Sequence, residues 1–402
     1  MPTDFSAVRA QIDRATERVR SAEAARRIEL ERLRQVFAPA FDGAMLTAAC
    51  VAVAGDVSLR WNGALFNLEE GINRFIPFGE EPKRYVLLAS DGSQIMPDRH
   101  RAVLFAVIQI ACACIPYGIQ ADVSPTLTQA LALADERDVR ILAEDELIRP
   151  GADEILSSGE IALERDLREI EVLAERCERF WRAGAPVIAL ADGSLVPFAL
   201  LNDGRLRPGD ARLSRLITAL DRLRESKAIV AGYIARPSSD ALVQTCRLAG
   251  VQETDAPAFI RRAGNLPRAL LDRHVLEAVL PFGHRTACFT PTWTLNGPDY
   301  LGRAHHTMRA FYLNVGRGRP EIARVELPEW CADPASLNTL TGTLGRHCRM
   351  GGGYPFILKA AHERAVLTRQ DQHEIERRLH SELQRQGMFA IPSSKQEAKE
   401  KR

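Results

Sequence analysis

Apolar and polar residues follow two different periods along this chain, and each period predicts one kind of element. Residues 4–36 carry apolar side chains at three- and four-residue steps among many Arg and Glu residues, with no Gly or Pro. This spacing predicts one long amphipathic helix. Its apolar stripe is narrow, which is typical of a helix that forms a coiled coil or docks on a partner. An arm that lies over its own domain is an equal alternative.

The same helical period recurs later in the chain and alternates with short apolar runs. Helices are predicted over residues 155–181, 213–223, 334–348, 354–365 and 369–386. Runs rich in Val, Ile and Leu predict strands over residues 85–90, 139–142, 187–191, 228–234, 311–315 and 321–327, and residues 102–115 fit a strand or a helix.

Strands come first in hairpins and later alternate with helices. This order predicts an α/β fold in which a mixed sheet is flanked by helices. The expected organisation is a helical arm at 1–40 for dimerisation or partner docking, a linking segment at 41–83, a main domain at 84–370, and a charged helix with a disordered tail at 371–402.

The tripeptide Asp-Gly-Ser occurs twice, and each copy closes an apolar run. Asp91 and Asp192 are the two acidic residues, and each is expected to end a buried strand with a turn behind it. Asp-Gly is also a strong signal for a simple β-hairpin turn. If the two strands are neighbours, the carboxylates lie within a few ångströms and either repel each other or share a cation. With the features below, the pair favours a metal site.

The helix predicted over residues 155–181 offers a further carboxylate. One group of acidic side chains lies to one side of its apolar stripe, namely Glu164, Glu171, Glu175 and Glu178. Glu169 lies on the other side. The helical period alone does not decide which of them faces the two aspartates.

A second candidate segment lies near the C-terminus, where three glycines at 351–353 precede Tyr354 and Pro355. The glycines predict a flexible loop, and the proline fits the first turn of a helix. Tyr354 and His362 fall two turns apart on one helix face, so both side chains can point into one cleft as proton donor or water-orienting group. The Lys-Ser/Thr of a phosphate-binding loop is missing, which argues against nucleotide binding there.

Composition narrows the function classes only slightly. The chain has 402 residues, 46% of them hydrophobic, and a formal net charge of +1, so any attraction to nucleic acid must come from local basic patches. Its eight cysteines form no CxxC pair and are expected to be reduced, buried thiols. With no signal peptide and no run of apolar residues long enough for a membrane, the protein is expected to be soluble and cytoplasmic.

Several of these segments together resemble the NurA nucleases, which act with HerA-type hexameric ATPases on DNA ends. The motifs that carry the resemblance are Asp91-Gly-Ser-Gln-Ile, Asp192-Gly-Ser-Leu, Arg324-Val-Glu326-Leu-Pro328-Glu-Trp330, and Tyr354-Pro355 with His362 eight residues after the tyrosine. They follow the family's order over roughly residues 84–367. The resemblance implies an RNase H-like core, a toroidal homodimer and manganese-dependent nuclease activity.

Carried over residue by residue, the family's two aspartates fall on Asp91 and Asp192, and its Tyr and His on Tyr354 and His362. The helical glutamate falls on Glu169 or Glu175. Both aspartates, both glutamates and His362 are thereby implied as ligands of Mn²⁺ or Mg²⁺, with Tyr354 as a further catalytic group. The basic residues Arg236, Arg303 and Lys359 are expected to contact the DNA backbone without sequence preference.

The function expected from this resemblance is two-metal hydrolysis of DNA phosphodiester bonds. It implies 5′ to 3′ exonuclease and single-strand endonuclease activity in end resection and repair or in phage defence, with a HerA-type ATPase as partner. An alternative from another class is a nuclease-fold protein without activity, which serves as a DNA clamp or an adaptor for the ATPase.

Overall fold

The structure is a computed structural model of the chain. It describes residues 5–56, 58–59, 61–66, 70–98, 103–118, 137–142, 144–148, 155–180, 185–201, 207–262, 270–297, 299–302 and 304–387. Two compact units are present. The first unit comprises Met1–Phe78, Ile234–Asn296 and Thr307–Val325, and the second comprises Gly79–Tyr233, Gly297–His306 and Glu326–Arg402.

Helices and strands come in short runs along the chain. In chain order the helices are α1 (Phe5–Arg34), α2 (Ala44–Gly55), α3 (Glu144–Leu147), α4 (Ser158–Phe180), α5 (Phe198–Leu201), α6 (Ala211–Glu225), α7 (Ala241–Cys246), α8 (Ala256–Arg262), α9 (Asp272–Val279), α10 (Pro334–Met350), α11 (Phe356–Ala365) and α12 (Arg369–Arg385). The strands are β1 (Ala64–Phe66), β2 (Phe75–Pro77), β3 (Tyr85–Ile95), β4 (Ala106–Tyr117), β5 (Arg137–Leu142), β6 (Val187–Asp192), β7 (Ile229–Ala235), β8 (His284–Thr286), β9 (Phe289–Pro291), β10 (Met308–Asn314) and β11 (Ile322–Pro328).

The first unit combines the long helix α1 with a small sheet. Its strands lie in the order β1-β9-β10-β11, with β8 beside β10 and β2 beside β8. The predicted N-terminal helix is confirmed, and its two ends differ in burial: Leu33 is buried in the core of this unit, whereas Phe5 and Ile12 are exposed. The narrow apolar stripe is therefore exposed at its N-terminal end and buried at its C-terminal end.

The second unit is built on a five-stranded mixed sheet in the order β7-β6-β3-β4-β5. Strands β3, β4 and β5 pair antiparallel, whereas β6 runs parallel to both β3 and β7. Apolar residues fill the central strands, as expected for strands covered on both faces. The predicted mixed sheet flanked by helices is thereby confirmed.

Helices α4 and α11 cover opposite faces of strand β3. Successive side chains of a strand point to opposite faces, so Asp91 and Ser93 share one face and Gly92 marks the other. The last turn of α11 accepts a hydrogen bond from Ser93, whereas side chains of α4 lie directly against Gly92. The sheet therefore presents Asp91 and Ser93 to α11 and Gly92 to α4.

The two Asp-Gly-Ser copies differ in backbone structure. The second behaves as predicted, because β6 ends at Asp192 and Gly193 has a φ of +106°, a conformation that suits glycine. For the first copy the predicted strand end is wrong. Strand β3 continues to Ile95, because this part of it pairs with β4 in an unbroken register that includes Asp91 with Ala111.

The structure also decides several other expectations from the sequence. In the segment 102–115, which was open between strand and helix, the structure has strand β4 from Ala106 onwards, and this strand hydrogen-bonds to neighbours on both sides. The three glycines at 351–353 form a tight turn rather than a flexible loop, since Gly351 and Gly353 donate to carbonyls of α10. All eight cysteines are free thiols, and seven are buried. The end of the predicted tail, residues 388–402, lies outside the described residues.

Within the described parts of the chain, no helix is both apolar enough and long enough to cross a membrane.

A buried histidine on α10 sits in the second unit without hydrogen bonds. The His347 side chain is fully buried, and among the described residues neither ring nitrogen has a hydrogen-bond partner. Its ring lies edge-on to Tyr117, and Glu81 and Arg346 are the charged groups near it. Burial, opposed by Glu81, lowers the pKa of His347 to about 4.

We predict that His347 makes the protein less stable in mild acid. An unfolded histidine has a pKa near 6.5, so below that pH the unfolded chain binds a proton that the folded chain does not. Stability is fully present above pH 6.5 and falls as the pH drops towards 4. The expected loss at pH 5 is about 2 kcal/mol.

The change that checks this is His347→Leu, which replaces the ring with an apolar side chain of similar size. No hydrogen bond of the described residues is lost, so stability at pH 7.5 should be unchanged or higher. Urea unfolding at pH 7.5 and pH 5 measures both effects. An equal acid-induced loss in the variant and the wild type would contradict the assignment.

Candidate metal centre

The parallel register of β3 and β6 brings the two aspartates together. Ser90 pairs with Ala191, so the residues that follow, Asp91 and Asp192, occupy equivalent positions on adjacent strands. The prediction that two acidic side chains about a hundred residues apart in sequence converge is confirmed by this pairing. The side chain of Asp91 is 12% exposed.

An imidazole joins the two carboxylates. One ligand atom each of Asp91, Asp192 and His362 lies within 4.8 Å of the others. His362 Nδ1 is 2.7 Å from Asp91 Oδ2, while Asp91 Oδ1 accepts a hydrogen bond from its neighbour, the Gly92 amide, at 2.8 Å. The His362 side chain is 61% exposed, so the cluster opens to solvent on the α11 side. Among the described residues this is the one group of His, Cys, Asp and Glu side chains with such spacing.

Tyr354 completes the polar surroundings of Asp192. It lies just before α11, and its phenol donates a hydrogen bond to the Asp192 carboxylate. Burial, with the nearby Asp192 charge, raises the pKa of Tyr354 far above its usual value, so this phenol stays protonated and can only donate to the carboxylate. Tyr354, from the segment before α11, and His362, from α11 itself, therefore reach the two aspartates. The prediction that Tyr354 lies on the helix is wrong, because the helix begins at Phe356.

Helix α4 directs Glu169 towards the same centre. Its carboxylate is buried, and Arg165, one turn earlier, places Nε 3.3 Å from Glu169 Oε1. Burial raises the pKa of Glu169 well above the usual value; Arg165 opposes this rise, and the charges of Asp91 and Asp192 add to it. Glu169 therefore feels the charges of both aspartates, although it is not one of the three residues whose ligand atoms lie within 4.8 Å of one another.

Gly92 explains how α4 approaches so closely. A Cβ atom built at this position would lie 2.6 Å from Glu169 Oε1 and 2.8 Å from Arg165 Cγ. Any larger residue would displace the glutamate. Sequence reasoning missed both Gly92 and Arg165; the available signal was the spacing of Arg165 four residues before Glu169.

Three other glutamates of α4 form ion pairs with arginines instead. Glu175 binds Arg168 of its own helix, with Oε1 2.9 Å from Nη1. Glu171 and Glu178 bind α6 through Arg215 at 2.7 Å and Arg222 at 2.6 Å. Of the two glutamates that the sequence left open, the structure directs Glu169 towards the aspartates and engages Glu175 in an ion pair.

Of the three basic residues expected to bind DNA, the structure describes Lys359 and Arg236. Lys359 is exposed on α11, where it pairs with Glu363 at 3.8 Å. Arg236 is exposed directly after β7 and belongs to the first unit. Arg303 lies outside the described residues.

The donor set fits a divalent cation. Carboxylate oxygens are preferred by Mg²⁺ and Mn²⁺, and imidazole is a common ligand of transition metals. Burial, together with the charge of Asp91, raises the pKa of Asp192 against the hydrogen bond from Tyr354. Clustered acidic groups with raised pKa values favour a cation, because it stabilises their charged forms.

Comparison with known proteins places this centre in a family. The family model described as the NurA domain matches residues 85–367. No curated protein matches the chain. Among solved structures, the NurA nuclease from Sulfolobus solfataricus is similar with 14% identity and a TM-score of 0.43, covering 78% of this chain and 88% of that one.

Two further solved structures are similar over most of their length. NurA bound to dAMP and manganese has 12% identity and a TM-score of 0.36, covering 75% of this chain and 88% of that one. NurA with manganese has 11% identity and a TM-score of 0.37, covering 89% of this chain and 96% of that one. Because the family model matches well over half of the sequence and includes every residue of the cluster, the chain belongs to the NurA family.

Proposed function

We propose that this protein is a metal-dependent deoxyribonuclease that hydrolyses phosphodiester bonds in DNA. Family membership supports a nuclease-type function. The observation that carries the proposal is the convergence of Asp91, Asp192 and His362 within 4.8 Å. A non-catalytic clamp or adaptor has no need for an open cluster of acidic and imidazole ligands, so the cluster favours the enzyme.

The first proposed role of these residues is to hold Mn²⁺ or Mg²⁺. A bound cation would supply charge stabilisation for the phosphate and activation of water. Asp91 and Asp192 would hold it from adjacent strands, and His362 would close the site from α11. Glu169 would provide an additional carboxylate from the opposite face, in support of a second cation.

The second proposed role is proton transfer and orientation. The exposed ring of His362 is positioned to orient the attacking water or to donate a proton to the leaving oxygen. The protonated phenol of Tyr354 has one hydrogen to donate, which it gives to Asp192 and would give instead to a scissile phosphate bound beside it. Lys359, Arg236 and Arg303 would contact the DNA backbone.

The finer features of the function are proposed on the basis of family membership. We propose 5′ to 3′ exonuclease and single-strand endonuclease activity in DNA end resection and repair or in phage defence, with a HerA-type hexameric ATPase as partner. A homodimer is also proposed, and the exposed apolar residues Phe5, Val8 and Ile12 of α1 support an interface on that helix. Three antiparallel strands followed by two parallel ones support an RNase H-like core.

We predict that Asp91→Asn abolishes cleavage and leaves the fold intact. The amide keeps the size of the side chain but removes its charge, so the affinity for a cation falls. The expected loss of rate on a labelled oligonucleotide in Mn²⁺ is about a thousandfold or more, comparable to the loss of a principal catalytic group. Circular dichroism and thermal unfolding serve as controls for folding.

The outcome also separates the nuclease from the adaptor. A wild-type protein that binds the oligonucleotide in Mn²⁺ without degrading it would establish the clamp or adaptor instead. A variant that cuts at the wild-type rate would remove Asp91 from the site.

A second prediction distinguishes the two glutamates of α4. Glu169→Gln should lower the Mn²⁺-dependent cleavage rate by about a hundredfold, because it removes a buried carboxylate near both aspartates. Glu175→Gln is the matched control on the same helix. Its carboxylate binds Arg168, so its rate should stay within about threefold of wild type.

The measurement is the cleavage rate of both variants at several Mn²⁺ concentrations. A larger loss in Glu175→Gln than in Glu169→Gln would reverse the assignment.

A further inference from the structure

The serines of the two Asp-Gly-Ser tripeptides have no role in the function proposed above. Ser93 follows Asp91 by two residues, and Ser194 follows Asp192 by two residues. Each side chain makes a hydrogen bond to an element far away in sequence, at Ala365 for Ser93 and at Glu326 for Ser194. The contacts differ, but both begin two residues after an aspartate of the cluster.

Ser93 connects the strand of Asp91 with the helix of His362. Its Oγ donates to the Ala365 carbonyl at 2.5 Å and accepts from the Leu367 amide at 3.1 Å. Ala365 is the last residue of α11, three residues after His362. The serine therefore fixes the end of this helix to the strand that carries Asp91.

Gln109 reinforces the same contact. It faces Ser93 in the register of β3 and β4, and its Nε2 donates to the same Ala365 carbonyl at 2.9 Å. The glutamine is buried. A carbonyl in the last turn of a helix has no donor within that helix. In α11, two facing strand residues supply donors for it.

Ser194 holds the turn that follows Asp192. Its Oγ donates to Glu326 Oε2 at 2.5 Å and accepts from the Val196 amide at 3.2 Å. Glu326 is 2% exposed, so this bond to a carboxylate is shielded from water and is strong. Glu326 belongs to a motif that carries the family resemblance, and no role in the cluster accounts for it.

The backbone of Gly193, the residue before Ser194, is also fixed by contacts with β7. The Gly193 amide donates to the Tyr233 carbonyl at 2.9 Å. A Cβ atom at Gly232 would lie 2.5 Å from the Gly193 carbonyl oxygen, so β7 and the turn pack without space between them. Both the amide and the carbonyl of Gly193 are therefore fixed against β7, and this sets the position of the preceding residue, Asp192.

We propose that Ser93 and Ser194 are positioning residues of the metal centre. Ser93 sets His362 against Asp91, and Ser194 with Glu326 sets Asp192. This inference rests on the proposed function, because it requires that the cluster binds a cation. Hydrogen bonds behind metal ligands orient those ligands, and their removal commonly weakens metal binding by about 10- to 100-fold.

The test compares three Ser→Ala variants of the full chain. Ser93→Ala and Ser194→Ala remove the two contacts. Ser226→Ala is the matched control, since Ser226 is a buried serine of the same unit whose Oγ donates to the Leu223 carbonyl at 2.8 Å. Isothermal titration with Mn²⁺ gives the dissociation constant, and thermal unfolding gives stability.

Ser93→Ala and Ser194→Ala should each raise the Mn²⁺ dissociation constant by about tenfold or more. Ser226→Ala should change it by less than about twofold, although it too loses a hydrogen bond. Ser93→Thr and Ser194→Thr, which retain the hydroxyl, should restore most of the affinity. If an alanine variant does not fold, Gln109→Leu and Glu326→Gln weaken the same contacts from the other side and should also raise the constant.

Two results would overturn the proposal: wild-type Mn²⁺ affinity in folded Ser93→Ala and Ser194→Ala, or an equal rise of the dissociation constant in Ser226→Ala. The nuclease proposal fails separately. A wild-type protein that binds Mn²⁺ but does not cut DNA would refute the nuclease and leave the positioning roles supported by the titrations. Cleavage by wild type, with unchanged Mn²⁺ affinity in both variants, would refute only the positioning roles.

Discussion

The second unit depends on one constraint, which is that β3 and β6 pair in parallel with two aspartates at the same register position. Asp91 and Asp192 must then lie side by side, and the charge of Asp91 helps to raise the pKa of Asp192, whose burial is the larger cause. Each acidic group of the centre has a polar partner of its own. His362 serves Asp91, Tyr354 serves Asp192, and Arg165 serves Glu169. These partners come from α11, from the segment just before it, and from α4.

The same tripeptide serves two different backbone structures. After Asp192 the glycine makes a turn, with a φ of +106°. After Asp91 the chain stays extended, and the glycine leaves room for Glu169 on the opposite face. Identical residues are required for different reasons, namely conformational freedom in one copy and the absence of a side chain in the other. The serines share a purpose, since both bind an element distant in sequence.

Much of this arrangement could be predicted from the sequence. Apolar runs and helical periods predicted the main helices and strands of the second unit. Tyr354 and His362 do approach one site, although Tyr354 precedes the helix on which it was predicted to lie. The continuation of β3 beyond Asp91 could not be predicted, because it depends on pairing with β4. The orientation of α4 could not be predicted from its helical period either. The period places Glu169 and Glu175 on different sides of the helix but does not show which side faces the sheet. A signal existed elsewhere: Arg215 and Arg222 on α6 are seven residues apart, as are their partners Glu171 and Glu178.

Electrostatics links metal binding to DNA binding in the proposed function. The chain has a net charge of only +1, so its overall field gives no general attraction for a polyanion. The centre itself gathers three carboxylates, and their field opposes the approach of a phosphate. Divalent cations held by Asp91 and Asp192 would reverse the sign of that local field, so that the ions needed for hydrolysis would also admit the substrate. In the proposed function, the contacts that hold the ligands in position would therefore affect substrate binding as well as the chemical step.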